Sequence, residues 1–264
     1  IHFTREHHET GFVSDKIPSG MFLTISVSSL VLPALVLFVL DRVLPRSKFR
    51  WLIIFSGVIA SLAAVMLWQM DFPTRIPLSA WQPVSLYQFQ PTFLIDSISW
   101  PYSLSLVSLA GAVILTSGMR GERSTHSWIF TLLYTALGIL AVSAADPLTL
   151  ALTWTAMDMM VLVLGLFFTS GQENGLSSIT AFSLRVLGTG ILLFACFLGS
   201  VGFLPLSFDM IPAALWVFLV SALRLGILPM KQQYTDEATT KRGLYTSFRL
   251  VSAAASLSFL GRIP

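Results

Sequence analysis

Long apolar stretches alternate with short polar ones along most of this chain. The hydrocarbon core of a bilayer is about 30 Å thick, and a helix of about 20 mostly apolar residues crosses it. Eight stretches meet this requirement, so we predict eight membrane-spanning helices. Their approximate bounds are residues 20–40, 51–70, 93–118, 127–145, 147–168, 177–203, 211–229 and 243–262.

Three polar regions interrupt or flank this pattern. Residues 1–19 are polar and mixed in charge, which predicts a tail. Residues 71–90 contain three prolines among alternating polar positions, which predicts an ordered connection outside the membrane with short strands. The third apolar stretch carries Asp96 and Pro101 near its start, so we expect it to begin as an interfacial segment.

Composition supports an all-α, polytopic membrane protein. Hydrophobic residues make up 55% of the chain and charged residues 11%, with a mean hydropathy of +0.78. An ordinary soluble domain carries about 25% charged residues. The single cysteine, Cys196, excludes an internal disulfide and a cysteine-bound metal cluster. The sequence has no cleavable signal and no initiator Met, so we expect a trimmed or processed version of a longer chain.

Loop charges predict the orientation in the membrane. The basic loops follow the first, third and seventh apolar stretches, and their Lys and Arg residues are Arg42, Arg46, Lys48, Arg50, Arg120, Arg123, Lys231, Lys241 and Arg242. By the positive-inside rule these loops face the cytoplasm or its organellar equivalent, and both termini lie outside. The expected location is a bacterial inner membrane. The basic pI of about 9.2 is explained by this asymmetry and does not indicate nucleic-acid binding.

Four charged residues fall well inside predicted helices: Asp158, Arg185, Arg224 and Arg249. A charge at the centre of a membrane helix costs about 2.5–3.5 kcal/mol on insertion scales, and such residues face the protein interior or a polar path. Two interpretations stay open at this point. The charges form structural ion pairs between helices, or they mark an ion pathway.

The seventh stretch contains a helix-breaking signal, because Gly226 and Pro229 follow Arg224 closely. Interrupted membrane helices free backbone carbonyls that can line a polar cavity, and they mark ion sites in transporters. The simpler interpretation is that Pro229 ends the helix at the membrane surface.

No sequence pattern predicts a metal or cofactor site. His2, His7 and His8 stand beside two glutamates, but they lie in the polar tail without helical spacing to a further ligand, which favours a solvated segment. A phosphate-binding loop, a catalytic triad and a haem-ligand pair are all missing from the sequence. We therefore expect no enzyme activity from this chain on its own.

Five segments carry a resemblance to a known family. In chain order they are "FLIDSISWPYSLSL", "AADPLTLALTWTAMD", "AFSLRVLGTGILLF", "LRLGILPM" and "RGLYTSFRLVSAAASLSFLGRI". They resemble the antiporter-like membrane subunits of respiratory complex I, which are related to Mrp-type cation/proton antiporters and membrane hydrogenase subunits. The resemblance covers about residues 20–264.

The family resemblance implies an architecture of leading helices followed by two inverted five-helix repeats. Residues 20–126 would hold the three leading helices, and residues 127–264 one five-helix repeat with a broken seventh helix. The second repeat is missing from this sequence. We expect half of a split protein, a short paralogue or an incomplete chain.

Departures from the family pattern affect the ion relay that it implies. The family has a Glu directly after the Trp of the fifth span, where this chain has Thr155. Arg224 stands where the family has a Lys, and Arg249 lies near the position of a His or Lys. Arginine stays protonated at physiological pH and threonine does not titrate, so we expect the relay to be degenerate.

Asp158 follows Thr155 by three residues, so we expect both on roughly one helix face, one turn apart. Asp158 is either a displaced replacement for the family's Glu or a fixed counter-ion for Arg224 or Arg185. A permanently ionised pair is a poor relay and a good clamp between helices. The sequence favours the clamp.

Two classes of function follow. The first is an antiporter-like subunit of a complex I-like or related ion-translocating complex, such as a proton-translocating, NADH dehydrogenase-like quinone oxidoreductase, with its own relay degenerate. The alternative is a non-conducting scaffold that anchors a partner, or the membrane partner of an inorganic-carbon uptake complex. The expected partners are other integral membrane subunits, the lipid bilayer and a soluble protein on the cytoplasmic face.

Overall fold

The computed structural model describes residues 20–43, 50–78, 81–84, 87–119, 125–168, 172–199, 208, 214–225 and 242–263. In these residues it contains eight α-helices and four short β-strands, which confirms the predicted all-α membrane class. The helices are α1 Met21–Val43, α2 Arg50–Leu67, α3 Ser99–Met119, α4 Thr125–Val142, α5 Pro147–Phe168, α6 Gln172–Gly199, α7 Ala214–Leu225 and α8 Arg242–Arg262.

Six of the described helices, α1 to α6, are long and apolar enough to cross a membrane. The described part of α7 is only 12 residues long. Helix α8 has 21 residues, but it includes three arginines and many small polar residues, and it is not among those six. The two helices outside these six, the described part of α7 and α8, are the ones that carry Arg224 and Arg249.

The connection expected over residues 71–90 contains three of the four strands, and the fourth follows it directly. Strand β1 (Thr74–Pro77) pairs antiparallel with β4 (Thr92–Ile95), and β2 (Trp81–Val84) pairs antiparallel with β3 (Tyr87–Phe89). The backbone of β4 also contacts the turn between α4 and α5, where the Leu94 N–H donates to the Ser143 carbonyl at 2.7 Å. These bonds hold β4 and its partner β1 at one end of the helix bundle.

The third helix begins later than the apolar pattern indicated, because residues 93–95 belong to β4. The Ser99 N–H donates to the Asp96 carboxylate at 2.7 Å, and the Asp96 N–H donates to the Ser99 hydroxyl at 2.8 Å. This reciprocal pair is a capping box, which satisfies free N–H groups at a helix start. Pro101 lies in the first turn, where its missing N–H costs little.

Helix α4 lies at the centre of the bundle. It packs against α1, α3, α5 and α8, and most of its residues are buried. At Gly138 the approach to α8 is so close that a Cβ atom would overlap the Val251 side chain. Because α4 packs against these four helices, its middle residues are surrounded by other helices of the bundle.

The end of α1 and the starts of α2 and α4 meet at one end of the bundle. At one end, Arg50 of α2 forms an ion pair with Asp41 of α1 at 2.7 Å and donates to the Thr125 hydroxyl of α4 at 2.6 Å. The described residues that flank loops 41–50 and 119–126 therefore share this end. Of the third basic loop, residues 230–242, the structure describes only Arg242.

Candidate functional site

The candidate site centres on Asp158, midway along α5 and only 2% exposed. Its Oδ2 atom lies 2.7 Å from Nη1 of Arg224 on α7, which is 3% exposed. The buried pairing that the sequence favoured is therefore present, and of the two arginines considered the partner is Arg224. Arg224 lies in the last turn of the described part of α7. This part of α7 therefore ends level with the middle of α5.

Arg224 of α7 contacts two other helices, α5 and α6, through its guanidinium group. Besides Asp158, it donates from Nη2 to the Trp154 carbonyl of α5 at 3.3 Å and from Nη1 to the Thr189 hydroxyl of α6 at 3.3 Å. Its Cζ atom lies 4.2 Å from the centroid of the Trp154 ring, within the range of a cation–π interaction. The cation is therefore fixed by ion pairing, hydrogen bonds and ring stacking together.

Aromatic side chains enclose this pair on the side of α8. The Trp154 ring packs edge-on against Phe259 at 5.6 Å, and Phe208 lies 5.9 Å from the same Phe259 ring. Apolar surroundings weaken screening, so the attraction between the two charges is stronger than at a surface. They also make each charge expensive without its partner.

Three buried polar atoms beside the pair have no hydrogen-bond partner among the described residues: Arg224 Nε, Trp154 Nε1 and Ser221 Oγ. Ser221 precedes Arg224 by three residues on α7 and so lies on a neighbouring part of the same face. Buried polar groups are normally satisfied by protein or by ordered water.

Arg185 and Tyr134 belong to the same electrostatic environment. Tyr134 is fully buried in the middle of α4, near the charged groups of Asp158, Arg224 and Arg185. Arg185 is half-buried on α6. Sequence reasoning missed Tyr134, Thr189 and the role of the Trp154 ring, although Trp154 stands four residues before Asp158 and so shares its face.

The other predicted site residues lie elsewhere. Thr155 is exposed, and its hydroxyl donates to the Ala151 carbonyl of the preceding turn at 2.7 Å. Thr155 lies one turn before Asp158 and about 60° from it around the helix, and of the two only Asp158 is buried. Arg249 is exposed on α8. Gly226 and Pro229 lie outside the described residues.

Two aspartates of the quoted motifs act at helix starts. Asp146 accepts from the Thr149 N–H of α5 at 2.7 Å and from the Thr92 hydroxyl of β4 at 2.6 Å. Asp96 caps α3 and contacts Arg262 of α8 at 3.4 Å, while Arg262 also donates to the last carbonyl of α4 at 3.1 Å. These contacts join β4 to four helices, α3, α4, α5 and α8.

Comparison with solved structures places the fold among respiratory membrane complexes. A chain of the membrane-bound sulfane sulfur reductase, an archaeal respiratory membrane complex, matches with a TM-score of 0.68 at 17% identity, over 90% of this chain and 40% of that chain. A chain of respiratory complex I from Thermus thermophilus with bound aureothin matches with a TM-score of 0.59 at 18% identity, over 90% of this chain and 53% of that one.

At these identities the likeness shows a shared fold, and this chain spans about half or less of the length of the two chains it matches. No protein-family model and no curated protein matches the sequence. The chain is an integral membrane protein whose fold recurs in multisubunit respiratory membrane complexes, in coarse agreement with the resemblance drawn from its motifs.

Proposed function

We propose that this chain is an antiporter-like membrane subunit of a complex I-like or related ion-translocating complex, in which Asp158 and Arg224 form a fixed clamp. The observation that carries the proposal is the 2.7 Å ion pair, buried midway through the bundle of a protein with this fold. The likeness to chains of two respiratory complexes supports the class of protein.

The chemistry of the pair supports a clamp over a relay. A proton relay needs groups that gain and lose a proton during turnover, whereas arginine keeps its proton at physiological pH. Proton transfer to Asp158 would leave Arg224 charged and buried without its counter-ion, which is strongly unfavourable. Trp154 and Thr189 further restrain the guanidinium in one position.

A second candidate function is a non-conducting scaffold. The contacts of Arg224 favour a scaffold, because this one side chain of α7 binds to α5 and α6 and so stabilises the packing of three helices. A subunit of this kind fills a place in a complex or anchors a partner there. The partners expected in both cases are other integral membrane subunits.

Ion flux through the purified complex in proteoliposomes tests this proposal. Asp158→Asn removes the charge with little change in shape, and Asp41→Asn is the matched control because its ion pair lies at a helix end. We expect Asp158→Asn to lower the yield of assembled complex, while the flux for each complex that does assemble stays near the wild-type value. Normal assembly with abolished flux would show a proton relay and overturn the clamp.

Flux of the wild-type complex also separates the two candidate functions. A complex that carries this chain and shows proton or sodium flux supports membership of an ion-translocating assembly. A complex that assembles fully and conducts no ion supports the scaffold.

A further inference from the structure

Arg42 lies in the last turn of α1, on the side of that helix that faces away from the bundle. Helix α1 is long and apolar enough to cross a membrane, so its exposed side meets lipid or another subunit. Four exposed residues recur on this side at helical spacing. We call them the α1 outer stripe, and they are Leu35, Phe38, Val39 and Arg42. The stripe is thus apolar along its length and ends in a guanidinium.

The Arg42 guanidinium is turned back toward the membrane-spanning part of α1. Its Cζ atom lies 5.0 Å from the centroid of the Phe38 ring, within the range of a cation–π interaction. Phe38 stands one turn before Arg42 and so lies nearer the middle of the helix. The ring therefore holds the cation at the end of the apolar stripe, where it does not extend beyond α1.

The acid next to Arg42 in the sequence already has a partner. Asp41 is half-buried, and its Oδ1 atom lies 2.7 Å from Nη1 of Arg50 on α2. Among the residues that the structure describes, the ion pairs join other charged groups and none of them includes Arg42. Since Arg42 is also exposed, its charge is open to a ligand from outside this chain.

Trp51 indicates the level of the membrane at which this cation lies. The ion pair of Asp41 with Arg50 sets the end of α1 level with the start of α2. Arg42 and Trp51 directly follow these two residues, so they lie near the same level, and the Trp51 side chain is exposed. Tryptophan is enriched at the boundary between hydrocarbon and headgroups. Arg42 therefore lies where the phosphates of one leaflet begin.

We propose that the α1 outer stripe binds a phospholipid, with its phosphate on Arg42 and an acyl chain along the three apolar residues. The planar guanidinium matches a phosphate with two parallel hydrogen bonds. An anionic lipid suits the site best, because its phosphate has no counter-cation within the headgroup and anionic leaflets attract basic residues beside membrane spans. This inference goes beyond the proposed function, since it depends on the place of Arg42 in the membrane and not on Asp158.

Photo-crosslinking in vesicles of known composition tests the site. The purified complex is reconstituted in dioleoylphosphatidylcholine with a minor share of dioleoylphosphatidylglycerol, and a photoreactive amino acid replaces Val39. The control position is Met66, which is equally open but lies at the other end of α2. We expect the anionic lipid in the Val39 adduct to exceed its share of the vesicle by about fivefold, and the Met66 adduct to match that share.

Variants of Arg42 show whether its charge causes the selectivity. Arg42→Gln should abolish the enrichment at Val39, and Arg42→Lys should keep most of it because the charge remains. Arg75→Gln is the matched control, since it removes an exposed arginine at the opposite end of the bundle and should leave the enrichment unchanged. Phe38→Leu should reduce the enrichment, because it removes the ring that holds the guanidinium.

Four results would overturn the proposal. They are a Val39 adduct with a peptide of another subunit, no enrichment in the wild type, enrichment that persists in Arg42→Gln, and loss of the enrichment on adding inorganic phosphate, which would indicate a site for a free anion. Each of them would leave the assembly and flux measurements on Asp158 unchanged, so failure of the lipid site is distinguishable from failure of the proposed function.

Discussion

The Arg224 guanidinium stacks on the indole ring of Trp154, with Cζ 4.2 Å from the ring centroid, and donates to the carbonyl of the same residue at 3.3 Å. One residue of α5 thus holds the cation by both its ring and its backbone. Asp158, which neutralises that cation, lies one helical turn further along α5. Most contacts that orient the Arg224 guanidinium therefore come from α5, and α6 adds one more through Thr189.

Replacing Trp154 tests this orientation. Trp154→Leu should lower the free energy of unfolding by about 3–5 kcal/mol, since it removes a fully buried ring and the cation–π contact. Trp154→Phe keeps a ring and should lose less. Thermal unfolding of the purified complex measures both, with half-buried Trp216→Leu as the control. Equal melting temperatures for Trp154→Leu and Trp216→Leu would argue against a special role of the ring.

Close packing of α4 on α8 leads to a second prediction. A Cβ atom on Gly138 would overlap Val251 and lie 3.2 Å from Leu106, so Gly138→Ala should force the two helices apart. We expect a loss of about 1–3 kcal/mol, as is typical of overpacked cores. Gly190→Ala is the matched control, because nothing lies within 4 Å of its added Cβ. The two variants are compared by thermal unfolding, and equal stability would contradict the packing.

The cap at the start of α5 gives a third prediction. Asp146→Ala removes the acceptor for the Thr149 N–H and the Thr92 hydroxyl, so it should cost about 0.5–2 kcal/mol. Asp146→Asn keeps an acceptor oxygen and should cost less. The denaturation midpoints of the two variants check this order of stability. An Asp146→Ala variant at least as stable as Asp146→Asn would refute the cap.

Membrane topology gives a fourth prediction. In a Cys196→Ser background, single cysteines at Ser47 and His126 should react with an impermeant thiol reagent from the same side, and one at Gln90 from the opposite side. His126 and Asp41 meet at one end of the bundle, and Gln90 lies beside the strands at the other. Labelling of Ser47 and His126 from opposite sides would contradict the fold.

Hydropathy predicted the helices well because burial in lipid requires an unbroken apolar run, and such runs are visible in sequence. The same reasoning misplaced the start of α3, since Phe93–Ile95 are as apolar as a helix but pair with β1 as a strand. Only the contacts of Asp96 with Ser99 show where the helix begins.

The candidate site could be predicted in part, for a geometrical reason. An acid inside an apolar helix must find a positive partner, so the burial of Asp158 followed from the energetics of membranes. The choice of Arg224 over Arg185 depends on how α6 and α7 are rotated about their own axes. The spacing of residues along one helix gives no information on that rotation. The exposure of Thr155 likewise depends on which side of α5 faces the bundle.

The most direct test of the clamp is a double-mutant cycle on the free energy of unfolding of the complex, with Asp158→Asn, Arg224→Met and both together. Each single change should cost about 3–5 kcal/mol because it leaves one buried charge without its partner. The double variant buries no such charge, so it should recover much of that loss and show a coupling of at least about 1 kcal/mol. Losses that simply add in the double variant, or single variants as stable as the wild type, would contradict the clamp.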